Sequence, residues 1–216
     1  MTRIVAAART LPLRRSWRRA AALLLVLSLG GCAWLETKQR ELALRPTPTR
    51  PVDAAALQPT DLRFVVPVSS AKAEPQKLSL WWLPHPDPNA PTLLYLHGTF
   101  RSLYQNVPKM DALREAGFAI LAVDYRGWGD STPLIPSEST INADVQVAWA
   151  ELVRRQPDPN RRVIFGHSMG GAAAVALASG LHRGADYGAL VLESTFTTMP
   201  DVAAEAGGTL RVGRNE

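Results

Sequence analysis

Residues 163–174 read Val163-Ile164-Phe165-Gly166-His167-Ser168-Met169-Gly170-Gly171-Ala172-Ala173-Ala174, and this stretch decides the fold. Three bulky apolar residues run into a Gly-x-Ser-x-Gly pentapeptide, which opens onto a run of small residues. The pentapeptide alone is weak evidence: with Gly and Ser each near 7% of residues, chance supplies roughly 0.07 matches in a chain of this length. Its setting is more specific. A buried strand before it and a small-residue helix after it form the strand–turn–helix that exposes a serine at the top of a sheet. Such a turn holds Ser168 in a strained backbone conformation, and the flanking glycines let strand and helix approach it closely. The Met169 N–H, at the start of the helix, points at any negative charge developing beside the serine and is aided by the helix dipole. The plainer alternative is an ordinary glycine-rich turn between strand and helix.

Working outward, four short runs are continuously apolar: Leu93 to Leu96, Phe118 to Val123, Val163 to Phe165, and Ala189 to Leu192. Continuous rather than alternating apolarity predicts strands covered on both faces, as in a parallel sheet. Leu62 to Val68 and Leu78 to Leu83 read as two earlier strands. Helices are predicted between the apolar runs. Val107 to Ala116 ends at Gly117, and Thr140 to Arg155 places Ile141, Val145, Ala148 and Leu152 on one face. Met169 to Leu181 is small and apolar all round, which predicts a helix buried in the middle of the domain. The order ββ followed by β-α-β-α-β-α-β predicts an α/β fold with right-handed crossovers.

His97-Gly98-Thr99-Phe100 follows the first central strand. A backbone N–H from such a loop completes an oxyanion hole opposite the serine, and Thr99 is the best-placed donor. Four further strings complete an ordered set: Leu96-His97-Gly98-Thr99, Asp124 to Ser131 (DYRGWGDS), Pro136-Ser137-Glu138, and Leu192 to Thr197 (LESTFT). Together with Gly166 to Gly171 they resemble the α/β-hydrolase superfamily over roughly residues 61–205. The branch resembled includes serine-aminopeptidase-like and lysophospholipase-like serine hydrolases. The resemblance implies a mostly parallel sheet with helices on both faces, and hydrolysis of an ester, thioester or amide through an acyl-enzyme. It implies Ser168 as nucleophile, Met169 and Thr99 as oxyanion-hole donors, and a structural role for Asp124 at the rim of the site.

Serine attack also needs a histidine base and an acid to orient it, and the family order is Ser, then Asp or Glu, then His. The only histidine after Ser168 is His182, fourteen residues on and about 21 Å away along a helix, far outside hydrogen-bond reach. His167 is expected to leave the turn in another direction, His97 to brace the oxyanion loop, and His85 to lie in a surface loop. Glu193 and Asp201 are available as acids. The elements that carry acid and base in the family, two strands and a final helix, are expected to be missing, through a truncated gene, a frameshift or an incomplete gene model. The alternative function is a non-catalytic envelope lipoprotein that uses the fold as a binding module.

The formal charge of +5 would invite a nucleic-acid reading, but six arginines and no acid lie in residues 1–31. The remainder holds 18 basic against 19 acidic side chains, a net of −1, so no nucleic-acid partner is expected. The basic stretch Arg14 to Arg19 precedes an apolar run, Ala20 to Leu29, too short to span a bilayer as a helix. The run ends in Leu29-Gly30-Gly31-Cys32, and Cys32 is the sole cysteine. This pattern resembles a bacterial lipoprotein signal, with cleavage before Cys32 and lipidation of its sulfur; a secretory signal that happens to contain a cysteine is the alternative. Residues 1–31 are thus read as the signal, 32–60 as a proline-rich semi-rigid tether, and 61–216 as a partial α/β-hydrolase domain. The expected address is the cell envelope, with Ala33 after the cysteine favouring the outer membrane over the inner. A small-molecule, lipid or peptide substrate is expected, with no metal and no cofactor, since the histidines lack metal-ligand spacing.

Overall fold

The computed structural model describes residues 31–48, 57–68 and 75–195. The arginine-rich segment and its apolar run, the middle of the tether, and everything from Phe196 onward, including Asp201, lie outside the described residues.

Six strands form one sheet: β1 (Leu62–Val68), β2 (Gln76–Leu83), β3 (Thr92–Leu96), β4 (Ala119–Asp124), β5 (Arg162–His167) and β6 (Ala189–Glu193). Their spatial order is β1-β2-β4-β3-β5-β6. β1 and β2 pair antiparallel, β2 pairs antiparallel with β4, and the rest are parallel. The sheet is the mostly parallel one the sequence predicts. β3 and β4, at its centre, are buried at every residue.

Alternate side chains of these strands feed two cores. On one face Leu80, Leu94, Leu96, Leu121, Val123 and Ile164 meet α3 (Glu138–Arg155) and α4 (Met169–Ser179) through Val145, Leu152, Ala174 and Leu177. On the other, Trp81, Leu93, Tyr95, Ile120 and Phe165 meet α2 (Leu103–Glu115) through Leu103, Val107 and Met110. Burial of each such side chain stabilises the fold by about 1.5–3 kcal/mol before entropy is subtracted, and the period of two keeps both faces dry.

Four expectations are corrected. Helix α2 starts at Leu103, a turn earlier than Val107, with Pro108 inside it. Ser102 and Gln105 form a capping box at the start of that extra turn, in which the Ser102 N–H donates to the Gln105 side chain at 2.9 Å. Helix α4 is not buried all round: Ala172, Val175, Ala176 and Ser179 form an exposed stripe, because α3 covers only one flank and no other described helix covers the second. β6 is the last strand at its edge of the sheet among the described residues, with Val191 and Leu192 exposed rather than covered.

The fourth correction concerns the tether. Residues 31–44 form a helix, α1, carrying an exposed Cys32. The chain beyond it is docked, not free. Thr47 accepts the Gly129 N–H through its carbonyl oxygen (2.9 Å), and the Arg45 guanidinium stacks over the Phe100 ring at 4.6 Å. The helix forms because residues 36–44 are rich in strong helix formers. Its turn-spaced residues Thr37, Arg40, Glu41 and Leu44 also find a surface to lie on.

Candidate active site

The site sits where β5 ends. Ser168 occupies the turn into α4 with φ +53° and ψ −120°, a conformation that non-glycine residues rarely adopt. It persists because its surroundings over-determine it. The Ser168 N–H donates to the Glu193 carbonyl (2.9 Å), and its own carbonyl accepts from the Gly171 N–H (2.9 Å). Side chains are excluded at the neighbouring glycines. A methyl group at Gly170 would stand 2.1 Å from the Leu96 carbonyl oxygen, and one at Gly166 would stand 2.5 Å from the Gly170 oxygen. The hydroxyl makes no capping bond to the helix it precedes.

The loop after β3 comes directly against this turn. A Cβ at Gly98 would lie 3.0 Å from the Ser168 Cβ. Gly98, Thr99, His167 and Ser168 line one pocket of about 620 Å³, together with Phe100, Arg101, Lys109 and the polar face of α2 at Gln105 and Asn106. The structure therefore brings together Ser168, Thr99 and the start of α4. Met169 is the first residue of α4, where a backbone N–H has no partner within the helix. A volume of this size suits a small-molecule ligand.

His97 is wholly buried under the loop. Its Nδ1 lies 2.6 Å from the Gly98 carbonyl oxygen, and its ring packs on Tyr125 and Trp128. Its Nε2 is 3.5 Å from Asp124 Oδ1, and that same oxygen accepts the Leu103 N–H at 2.8 Å. Asp124 thereby ties the first turn of α2 to the end of β4. Burial pushes the Asp124 carboxyl up to about 7, against the pull of the Leu103 N–H. Burial likewise pushes the His97 imidazole down to about 4. Both groups are therefore neutral over the mildly acidic range, and His97 braces the loop as expected.

His167 does turn away from the helix, to a partner that sequence reasoning did not find. Its Nδ1 lies 3.1 Å from Glu193 Oε2 and 3.4 Å from Lys109 Nζ. Lys109 also donates to Glu193, and that bond holds the Glu193 carboxyl below its ordinary range, with the Lys109 and His167 charges adding to it. Lys109 carried no signal of its own; with α2 drawn from Leu103, it falls on the turn facing the end of β6. His182 is not the last residue of α4. The helix ends at Ser179, and the His182 N–H donates to Asp186 in the following turn. Among the described residues no group of three His, Cys, Asp or Glu side chains is placed to hold a metal ion.

Comparison with known proteins agrees with this architecture. Residues 87–211 match the family model described as serine aminopeptidase, S33. The Mycobacterium tuberculosis protein Rv2307c is 30% identical over 185 residues, covering 85% of this chain and 63% of its own. The chain thus spans less than two thirds of that relative. The lysophosphatidylserine lipase ABHD12 of Danio rerio is 32% identical over 141 residues, 64% of this chain and 36% of the relative. Among solved structures, an alpha-beta hydrolase from Vibrio vulnificus superposes with a TM-score of 0.64 at 21% identity, covering 79% of this chain and 61% of that one. An esterase from Pyrococcus furiosus, Pf2001, reaches 0.54 at 22% identity, covering 76% and 63%. These structures share the fold, and the family match covers more than half of the chain: it belongs to the serine aminopeptidase S33 family of α/β-hydrolases.

Proposed function

We propose that the chain is a serine hydrolase in which Ser168 Oγ attacks the carbonyl carbon of an ester, thioester or amide. The oxyanion would be received by the N–H groups of Met169 and Thr99, and the leaving alcohol, thiol or amine would depart from an acyl-Ser168 intermediate that water then hydrolyses. The observation that carries this reading is the left-handed Ser168 backbone with Gly98 against its Cβ. The strain falls on a serine that lines the pocket, at the start of α4 and against the loop that carries Thr99. A lipid or small-molecule ester is the substrate class supported by the pocket's size and by the name of the Danio rerio relative. We place the protein in a bacterial cell envelope, at the outer membrane in preference to the inner, anchored through lipidated Cys32.

The base is the weak link. His97 is engaged beneath the loop, His167 is turned to Glu193 and Lys109, and His182 lies beyond the far end of α4. An oxyanion hole and binding alone retain about 10³–10⁴ of acceleration over water, so slow acylation is expected of these 216 residues. A fluorophosphonate probe tests the reading. Ser168 should label slowly in the folded chain, and Ser168→Ala should not label at all. If the folded chain stays unlabelled, the hydrolase reading is wrong. The second reading, a non-catalytic binding module, draws on the lack, among the described residues, of a histidine partner for Ser168. It expects Ser168→Ala to leave every phenotype intact.

A further inference from the structure

Helix α1 presents faces with different surroundings. Thr37, Arg40, Glu41 and Leu44 are half-buried, a spacing of i, i+3, i+4 and i+7 that makes one stripe, and Leu44 packs against the core beneath α3 and α4. About a quarter-turn around the helix, at 100° per residue, a second stripe faces away from the protein. It carries Trp34, Lys38 and Leu42, flanked by Leu35. Trp34 is 63% exposed, Leu42 70% and Leu35 52%. Lys38 in their midst is paired with Glu41 at 2.6 Å. Glu36 and Ala43, on the opposite flank, are also exposed. A tryptophan and two leucines on one open face of a short helix are an unusual surface to leave in water.

The chain that leads into α1 says what covers that face. Cys32 lies in its first turn, directly after the apolar residues Ala20 to Leu29 and the arginines before them. In the anchoring proposed above, α1 is entered from hydrocarbon at Cys32, and Trp34 is two residues from that entry point. Tryptophan is the side chain most at home at the membrane–water boundary. Fourteen residues at 1.5 Å each span about 21 Å, and no helix among the described residues is long and apolar enough to cross a membrane. A short helix with one apolar stripe lies in the interface plane instead.

We infer that α1 is an interfacial helix, with Trp34, Leu35 and Leu42 inserted into the lipid surface and Lys38 reaching back to its headgroups. It is a second membrane contact beside the anchor, and it holds the catalytic pocket against the bilayer. The helix runs out through Arg45 onto Phe100, an exposed aromatic on the pocket rim, with the Thr47 hydroxyl 3.4 Å from the Phe100 carbonyl. Lipid substrates would thus enter from the surface on which α1 lies. The inference rests on the membrane anchoring proposed above and on nothing about the chemistry of Ser168.

The sole native cysteine makes the test clean, because lipidation closes its thiol to labelling. In the full chain with Cys32 lipidated, single cysteines at 34, 35, 42, 36 and 43 are spin-labelled, and the chain is bound to phosphatidylethanolamine–phosphatidylglycerol vesicles. Vesicle binding should raise oxygen collision and lower chelated-nickel collision at 34, 35 and 42, and change neither at 36 and 43. If the chain binds vesicles and all five positions respond alike, the interfacial helix is wrong while the anchor stands. If the chain does not bind vesicles, both fail. Spin–spin broadening at 34 and 42 without vesicles would mean that the face joins two copies of the chain, which also overturns the proposal.

Discussion

Gly170→Ala isolates the contact on which the serine turn depends. The added methyl would lie 2.1 Å from the Leu96 carbonyl oxygen and 2.6 Å from that of His97. An ordinary carbon–oxygen contact is about 3.3 Å, so roughly 1.2 Å must be recovered. The obstacle is main chain at the end of β3, which is paired with β4 on one side and β5 on the other. The first turn of α4 must therefore move, carrying Ser168 with it. Overpacking of this kind costs up to about 3 kcal/mol or more, while alanine regains about 1 kcal/mol of helix propensity. The net loss of about 2–3 kcal/mol lowers the melting temperature by about 5–10 °C in a domain of this size. Gly180→Ala is the matched control: its φ is −94°, and its nearest neighbour is the Leu177 oxygen at 3.7 Å. Thermal unfolding followed by circular dichroism should separate the two variants clearly. Equal melting temperatures would refute the claim that close main-chain approach holds the turn.

Ser168→Gly should abolish probe labelling and raise the melting temperature by about 2–4 °C, since relief of the positive φ returns about 1 kcal/mol. Ser168→Ala, which keeps the strain, should abolish labelling without that gain; equal melting temperatures for the two would show that the turn is unstrained. The buried pair His97 and Asp124 makes opposing contributions to stability against pH. The His97 pKa is lowered from 6.5 to about 4, so its contribution is present above 6.5 and lost as pH falls toward 4. The Asp124 pKa is raised from 3.8 to about 7, so its contribution is present below 3.8 and lost as pH rises through 7. Urea unfolding of Asp124→Asn should therefore show stability rising between about pH 4 and 6.5, with a flatter profile in the parent; no difference in slope would mean that burial does not set these protonation states.

The central strands were legible because each is covered on both faces and so reads as an unbroken apolar run. The serine turn was legible because its glycines are demanded by main-chain contacts that no other residue permits. What was missed has equally local causes. The start of α2 was hidden by Pro108, which reads as a first-turn residue and so sets the start at Val107. The real signal was Ser102 with Gln105 three residues later, a capping box that precedes the proline by a turn. Helix α1 was hidden because its docked face is polar at Thr37, Arg40 and Glu41, so a search for apolar periodicity passes over it. The exposure of α4 was not readable, since apolar composition states what a segment can bury and not what is there to cover it. Lys109 became visible only when α2 and the end of β6 were placed side by side, a juxtaposition set by the sheet order.

The docking of residues 45–47 has a mechanical consequence. In the anchoring proposed above, the molecule is tugged continually along its N-terminal strand, and the force travels through the bonds that strand meets. After the half-buried stripe of α1 these are the Thr47 carbonyl on the Gly129 N–H and the Arg45 stack on Phe100. Gly129 abuts the Asp124 carboxyl, and Phe100 is two residues from Gly98. On that reading, part of the tension from the surface passes into the loop that faces Ser168, and the load path of the molecule runs beside its pocket.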